Sequence, residues 1–193
     1  MKRVWVTGYR AFELNVFKDD DPKVTVIKEV LSQLLKEKLN ETTDIFWLLA
    51  GANLGVDQWA AEAGLALKKD YNQLKVAVMT PYEHFGQRWN ESNQAKLARL
   101  TQRVDFASSV TKGPYQTPGQ LRAYTDFMLN YSDEAIIVYD PDHEGKPKWD
   151  YAAMERAQEQ KNYPVRLVDF DELQNAAEAW GERQLEKADD DEN

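Results

Sequence analysis

Two short runs in this chain carry residue types that hold phosphates and sugars. Gly8-Tyr9-Arg10 follows the apolar run Val4-Trp5-Val6-Thr7. Gly51-Ala52-Asn53-Leu54-Gly55-Val56-Asp57 follows Ile45-Phe46-Trp47-Leu48-Leu49-Ala50 and leads into Gln58-Trp59-Ala60-Ala61-Glu62-Ala63. A strand that passes through glycine into a helix gathers backbone N–H groups at the carboxyl edge of a sheet. Helix N-termini there attract anions, and small residues let a ligand come close. Arg10 offers a fork of donors to a phosphate, and Tyr9 a ring to a base. The plainer alternative is a tight turn with an exposed Arg and a half-buried Tyr. Gly51 to Asp57 is not a GxGxxG fingerprint, since its two glycines stand four apart. Nor is it a Walker A loop, which ends in Gly-Lys-Ser/Thr. Helix capping is a compatible reading, with Asn53 as N-cap and Asp57 in the first turn. A carboxylate repels phosphate but accepts hydrogen bonds from ribose hydroxyls and base N–H groups. The expectation is therefore a pocket with Gly8, Tyr9 and Arg10 on its phosphate side. Gly51, Ala52, Asn53, Gly55 and Asp57 would form its sugar-or-base side.

Thr80-Pro81-Tyr82-Glu83 reaches the same edge, with Pro81 expected to stop its strand. Arg88 is a second candidate phosphate contact, or a surface residue; Trp89 reads as packing. Gly145 opens a helix and would be a third anion-contacting element. Asp140, Asp142 and Glu144 lack the full calcium-loop pattern, so the loop reads as solvated and no metal is expected. Arg122 and Asp126, four apart on a helix, read as a structural ion pair. Asp133 reads as a turn residue. His84 and His143 sit in no metal spacing, and no Gly-x-Ser-x-Gly elbow exists.

The elements that must position these residues alternate. Apolar runs at 4–7, 45–50, 74–79, 104–107, 134–139 and 164–168 read as strands. Helical spacing predicts helices over 23–40, from Leu54, and over 87–101, 117–131, 149–160 and 170–186, with a loop from Ala11 to Lys23. Strands that are continuously apolar are buried on both faces. The pattern predicts an α/β fold: one Rossmann-like, doubly wound domain over 1–187, with a mostly parallel sheet and helices on both faces. The acidic segment 188–193 is expected to be a disordered tail.

The chain has 193 residues and a formal net charge of -9. That acidity argues against nucleic acid as a partner, since phosphate neutralisation needs basic surface. There is no cysteine, which excludes disulfides and thiolate chemistry and fits a reducing compartment. No run approaches the ~18 apolar residues of a membrane span. A cytoplasmic protein without membrane contact is expected, with a homo-oligomer left open.

The runs Val6-Thr7-Gly8-Tyr9-Arg10, Gly51 to Glu62, Pro81-Tyr82-Glu83, and Ser132-Asp133 before Ala135-Ile136-Ile137-Val138-Tyr139-Asp140 resemble the YpsA-like proteins (the UPF0398 group) over about residues 1–175. That group is similar to the DprA/LOG-type Rossmann superfamily. The resemblance implies binding of a nucleotide or nucleotide-derived molecule, of the NAD, ADP-ribose or nucleoside monophosphate class. Its residues here would be Gly8, Arg10, Gly51, Gly55 and Asp57. LOG-type phosphoribohydrolases carry a Pro-Gly-Gly-x-Gly-Thr loop before a catalytic Glu. The comparable run here, Gly145-Lys146-Pro147-Lys148-Trp149-Asp150, lacks those glycines. Three readings stand: a nucleotide-binding sensor, an N-glycoside hydrolase using Asp57 and Asp150, and a non-catalytic interaction protein.

Overall fold

In the computed structural model, which describes residues 1–191, the chain alternates strand and helix throughout. The elements are β1 (Lys2–Gly8), α1 (Pro22–Asn40), β2 (Phe46–Ala50), α2 (Val56–Leu67), β3 (Leu74–Tyr82) and α3 (Glu91–Arg103). They continue as β4 (Phe106–Thr111), α4 (Gly119–Tyr131), β5 (Glu134–Val138), α5 (Lys148–Gln160), β6 (Val165–Val168) and α6 (Phe170–Asp191). The strands form one six-stranded sheet in the order β4-β3-β2-β1-β5-β6. Every pairing is parallel. This is the expected doubly wound α/β architecture. β1, β2 and β5 hold the buried centre, with Trp5, Phe46, Leu48, Ile136 and Ile137 among the most enclosed side chains.

α1 packs on α2 and α6, and α2 on α3, on one face; α4 packs on α5 on the other. The chain walks outward from β1 to β4, then returns to the far side of β1 as β5. That reversal makes the β1/β5 boundary the topological switch point, where such sheets open a crevice beyond the strand ends.

Local chemistry sets the element ends. Asp21 caps α1 by accepting from the Lys23 N–H at 2.9 Å, with Pro22 behind it at the first helical position. Asn90 caps α3 through the Asn93 N–H at 2.9 Å. α3 therefore starts at Glu91 rather than 87, and residues 83–89 form turns.

Four expectations differ. Pro81 does not stop β3, which runs on to Tyr82. By that point β2 has ended, its last pair being Ala50 with Val78, so a missing N–H loses no ladder bond on that side. Strand β4 lies at Phe106–Thr111, later than the apolar run 104–107. The 11–23 segment contains a single 3-10 turn, Ala11–Leu14. Residues 188–191 continue α6 instead of forming a disordered tail, and 192–193 lie outside the described residues.

Candidate functional site

The two glycine turns clasp each other. Arg10 and Gly55 form an antiparallel bridge. The Ala11 N–H donates to the Leu54 carbonyl at 2.9 Å, and the Val56 N–H to the Tyr9 carbonyl at 3.1 Å. A Cβ on Gly55 would stand 2.6 Å from the Tyr9 oxygen, and its φ of 127° suits glycine alone. Gly55, not Asn53, is the N-cap of α2. The first N–H of that helix is thus already held by protein backbone. Gly8 is equally enclosed: a Cβ there would lie 2.6 Å from the Val138 oxygen and 3.0 Å from Val56.

Asp57 is 2% exposed. It accepts from the Thr7 hydroxyl at 2.8 Å, the Asn53 side-chain amide at 2.8 Å and the Asn53 N–H at 3.3 Å. It therefore ties β1 to the turn that follows β2. Gln58 donates to the Ala52 carbonyl at 2.9 Å and closes the same turn.

Tyr9 fills the switch point. Its hydroxyl donates to the His143 carbonyl at 2.6 Å and accepts the Asp140 N–H at 3.0 Å. Its ring lies against Tyr139 and Phe170, and burial pushes its pKa up to about 12. The ring is core, not a stacking platform. Glu13 braces this corner, accepting the Arg10 N–H at 2.7 Å and the Lys146 N–H at 2.6 Å. Gly145 is small because Glu13 and the Tyr9 ring stand where its Cβ would be. Its neighbouring N–H meets a carboxylate rather than a free space for phosphate.

Beyond β2 lies a buried polar cluster. A Cβ on Gly51 would meet the Asp57 carboxylate and lie 2.6 Å from the Tyr124 hydroxyl. Tyr124, on α4, is 9% exposed, and its hydroxyl has no hydrogen-bond partner among the described residues. Asp150, on α5, accepts from Thr125 at 2.8 Å. Burial raises its pKa to about 6, opposed by the Thr125 hydrogen bond and Arg10 and reinforced by Asp57. Burial, with Asp57 and Asp150 nearby, pushes Tyr124 well above its ordinary range. Arg10 reaches this cluster electrostatically, and its guanidinium folds back to within 3.4 Å of the Gly8 oxygen. α2 supplies Asp57 from one face of the sheet, and α4 and α5 supply the others from the opposite face. They meet only where the strands end.

Arg10 and Asn53 also line an open groove of about 990 Å³ on the α1/α2/α3 side. Its lining carboxylates, Asp19 and Glu62, pair with Lys96 and Lys28 of the same walls. Arg10, Lys18, Arg99, Arg103 and Lys146 line it and make no salt bridge among the described residues, although Arg10 also acts on Asp150 through space. A positive excess thus faces the groove on a chain of net charge -9.

Of the expected site residues, Arg10, Asn53 and Gly55 border the groove. Gly8, Tyr9, Ala52 and Asp57 are buried beneath it, and Gly51 abuts the polar cluster. Arg88 is exposed in a turn and does not line the groove, although Trp89 does. Pro81 is buried in β3, its carbonyl accepting from Thr111 at 2.7 Å. Arg122 and Asp126 make no ion pair among the described residues. Asp133 instead pairs with Arg3 at 2.8 Å. Thr7, Glu13, Tyr124 and Thr125 were not read from the sequence. The Lys96, Arg99 and Arg103 stripe was open to reading at i, i+3 and i+7.

Residues 4–173 match the profile of the YspA SLOG family (YpsA). The chain is similar to a UPF0398 protein of Limosilactobacillus reuteri (strain DSM 20016), 53% identical over 187 residues, 97% of this chain and 98% of the relative. A UPF0398 protein of Levilactobacillus brevis is 53% identical over 182 residues, 94% of this chain and 95% of the relative. Among solved structures, DNA processing protein A (DprA) from Streptococcus pneumoniae aligns with a TM-score of 0.55 at 16% identity, over 95% of this chain and 56% of that chain. The chain spans about half the length of that protein, and the likeness is one of fold.

Proposed function

The chain belongs to the YspA SLOG family, and from that premise we propose that it binds a nucleotide or nucleotide-derived small molecule in the groove beside Arg10, Asn53 and Gly55. The ligand class is NAD, ADP-ribose or a nucleoside monophosphate. Support comes from the groove's cations without salt bridges, with Arg10 at the carboxyl edge of the sheet and Arg99 and Arg103 further along α3. On an acidic molecule, such a concavity focuses anions where the rest of the surface repels them. Val56, Asp57 and Tyr124 occupy the space between Gly8 and Gly51, so the ligand lies over the clasped turns rather than between them. Phosphate pairs with Arg10 and its neighbouring cations, and the sugar or base faces Asn53 and Gln58.

Thermal denaturation with a ligand panel tests this. At a hundredfold excess over Kd, a bound ligand stabilises by about 2.7 kcal/mol. For a domain of this size that raises Tm by roughly 5–10 °C. No shift with any of the three classes at millimolar concentration would count decisively against the reading.

One observation favours a second reading, hydrolysis of an N-glycosidic bond. Asp150 has its pKa raised to about 6, so it can hold or release a proton near neutral pH, in a cluster with Asp57 and with the Tyr124 hydroxyl, which has no hydrogen-bond partner among the described residues. On this reading purified protein releases free base from a nucleoside monophosphate, and Asp150→Asn abolishes release while retaining binding. Equal release by the variant would exclude it.

A further inference from the structure

We propose that the groove selects nucleotides carrying two separated phosphate positions, over both simple mononucleotides and nucleic-acid strands. This rests on the reading of the groove as a nucleotide site and names the subclass it takes.

The groove is long, and its charge is spread along it. Asn90, the cap of α3, and Arg103, at its last turn, both line the same wall. At 1.5 Å of rise per residue, that wall is roughly 20 Å long. α3 begins where β3 ends, at the carboxyl edge, so its Asn90 end lies towards Arg10 and Arg103 marks the far end. Lys96, Arg99 and Arg103 share one helix face by their spacing. Lys96 is held by Asp19. Arg99 and Arg103 are exposed and unpaired among the described residues. A single phosphate, a few ångströms across, can touch Arg10 or the α3 pair but not both. A nucleotide with a second, remote phosphate can satisfy both ends.

The opposite wall supplies surfaces for bases. Phe12 and Phe17, on the β1–α1 connection, line the groove and are 58% and 78% exposed. Water-facing aromatic rings beside unpaired cations suit stacking of a base next to its phosphate. Two features of the molecule argue for a compact ligand over a strand. The groove, at about 990 Å³, lies at the upper end of small-molecule sites. The surface outside it is more acidic than the -9 of the whole chain, so a strand running past either end would meet like charge.

The experiment compares matched pairs differing in one remote phosphate, by calorimetric titration of the full chain: NAD against NADP, and adenosine 5′-monophosphate against adenosine 3′,5′-bisphosphate. A single-stranded oligodeoxyadenosine is the polymer arm, and Arg99→Ala/Arg103→Ala the variant. Both arginines are exposed, so the variant retains its fold, checked by its Tm. The expected result is at least about tenfold tighter binding of the member of each pair that carries the extra remote phosphate, the worth of one charge-assisted contact. The double variant should erase that difference, with the larger loss falling on the member that carries the remote phosphate. Equal affinities within each pair, unaffected by the variant, would overturn the selectivity but leave nucleotide binding standing. Tighter binding of the oligonucleotide than of NADP or adenosine 3′,5′-bisphosphate would overturn it in favour of a strand-binding surface. Binding by none of the probes would overturn the underlying reading as well.

Discussion

Asp150 is the residue whose environment departs furthest from what its position in the sequence suggests. In the chain it reads as one carboxylate after a lysine- and proline-rich loop. In the fold it is 9% exposed and supported by one hydroxyl, from Thr125. Its folded pKa of about 6 exceeds the ordinary value of 3.8, so the folded state binds the proton more tightly than the unfolded state. Stability from this group is therefore fully present below about pH 4. It is lost as the pH rises towards 6, by up to roughly 2–3 kcal/mol. Asp105 and Asp133 have lowered values, set by Lys68 and Val76 for the first and by Arg3 for the second, against desolvation. They act below 3.8 and in the opposite sense, so the windows do not overlap. Asp150→Asn keeps an acceptor for Thr125 without the buried charge. Urea titrations across pH 4–8 should show the variant matching the parent near pH 4 and exceeding its stability at pH 7–8. A stability difference independent of pH would show that Asp150 does not titrate in this range. Tyr124, by contrast, could not have been found in the sequence. It is an ordinary aromatic on an amphipathic helix, and only the packing of α4 across the sheet edge aims its hydroxyl at Asp57.

At the scale of elements, the alternation and polarity of the strands made the sheet legible, because burial on both faces forces continuous apolar runs. The glycine turns were legible as turns but not in purpose. Glycine's freedom can admit a ligand or another stretch of backbone, and sequence spacing does not distinguish the two. Here it admits backbone: Gly55 lets the β1–α1 and β2–α2 connections bridge. The Pro81 expectation failed for a related reason. A proline interrupts a ladder only where a neighbour needs its N–H, and strand lengths are a tertiary property. Two Gly→Ala substitutions separate the roles of glycine. Gly55→Ala places a Cβ 2.6 Å from backbone atoms at φ 127° and should cost roughly 3 kcal/mol or more. Gly181→Ala, inside α6 with nothing within 4 Å of its added Cβ, should stabilise by about 0.5–1 kcal/mol. Chemical denaturation of both variants reads the opposite signs. A Gly55→Ala protein as stable as its parent would mean the turns are not clasped in solution. Asp57→Asn is a poor probe of ligand binding for the same structural reason. It would replace a charged acceptor of three hydrogen bonds, from Thr7 and from the side-chain and backbone N–H groups of Asn53, with a neutral amide and so weaken the clasp itself.

Over the whole molecule, net composition and the local placement of charge pull in different directions, and averaging hid the cationic groove. A net charge of -9 argued against a polyanion partner, yet the charge is distributed, not uniform. Five cations that make no salt bridge among the described residues line one groove beside α1, α2 and α3, where the only carboxylates of its lining are themselves paired. Only the three-dimensional arrangement shows this, because Arg10, Lys18, Arg99, Arg103 and Lys146 are scattered along the sequence. Such an arrangement has a measurable consequence. An anionic ligand approaching an acidic protein is repelled at long range and attracted only within the groove, and the two effects screen differently. At 0.15 M salt the Debye length is about 8 Å, shorter than the groove, and at 1 M it is about 3 Å. Long-range repulsion is therefore already weak at physiological ionic strength, while attraction between a bound phosphate and the flanking arginines persists until higher salt. Raising salt from about 0.15 to 1 M should weaken binding of a doubly phosphorylated nucleotide several-fold. A neutral nucleoside with the same base should be unaffected. Titrations at a series of salt concentrations separate the cases. Affinities that fall equally for both ligands would place the ligand's contacts outside the cationic walls.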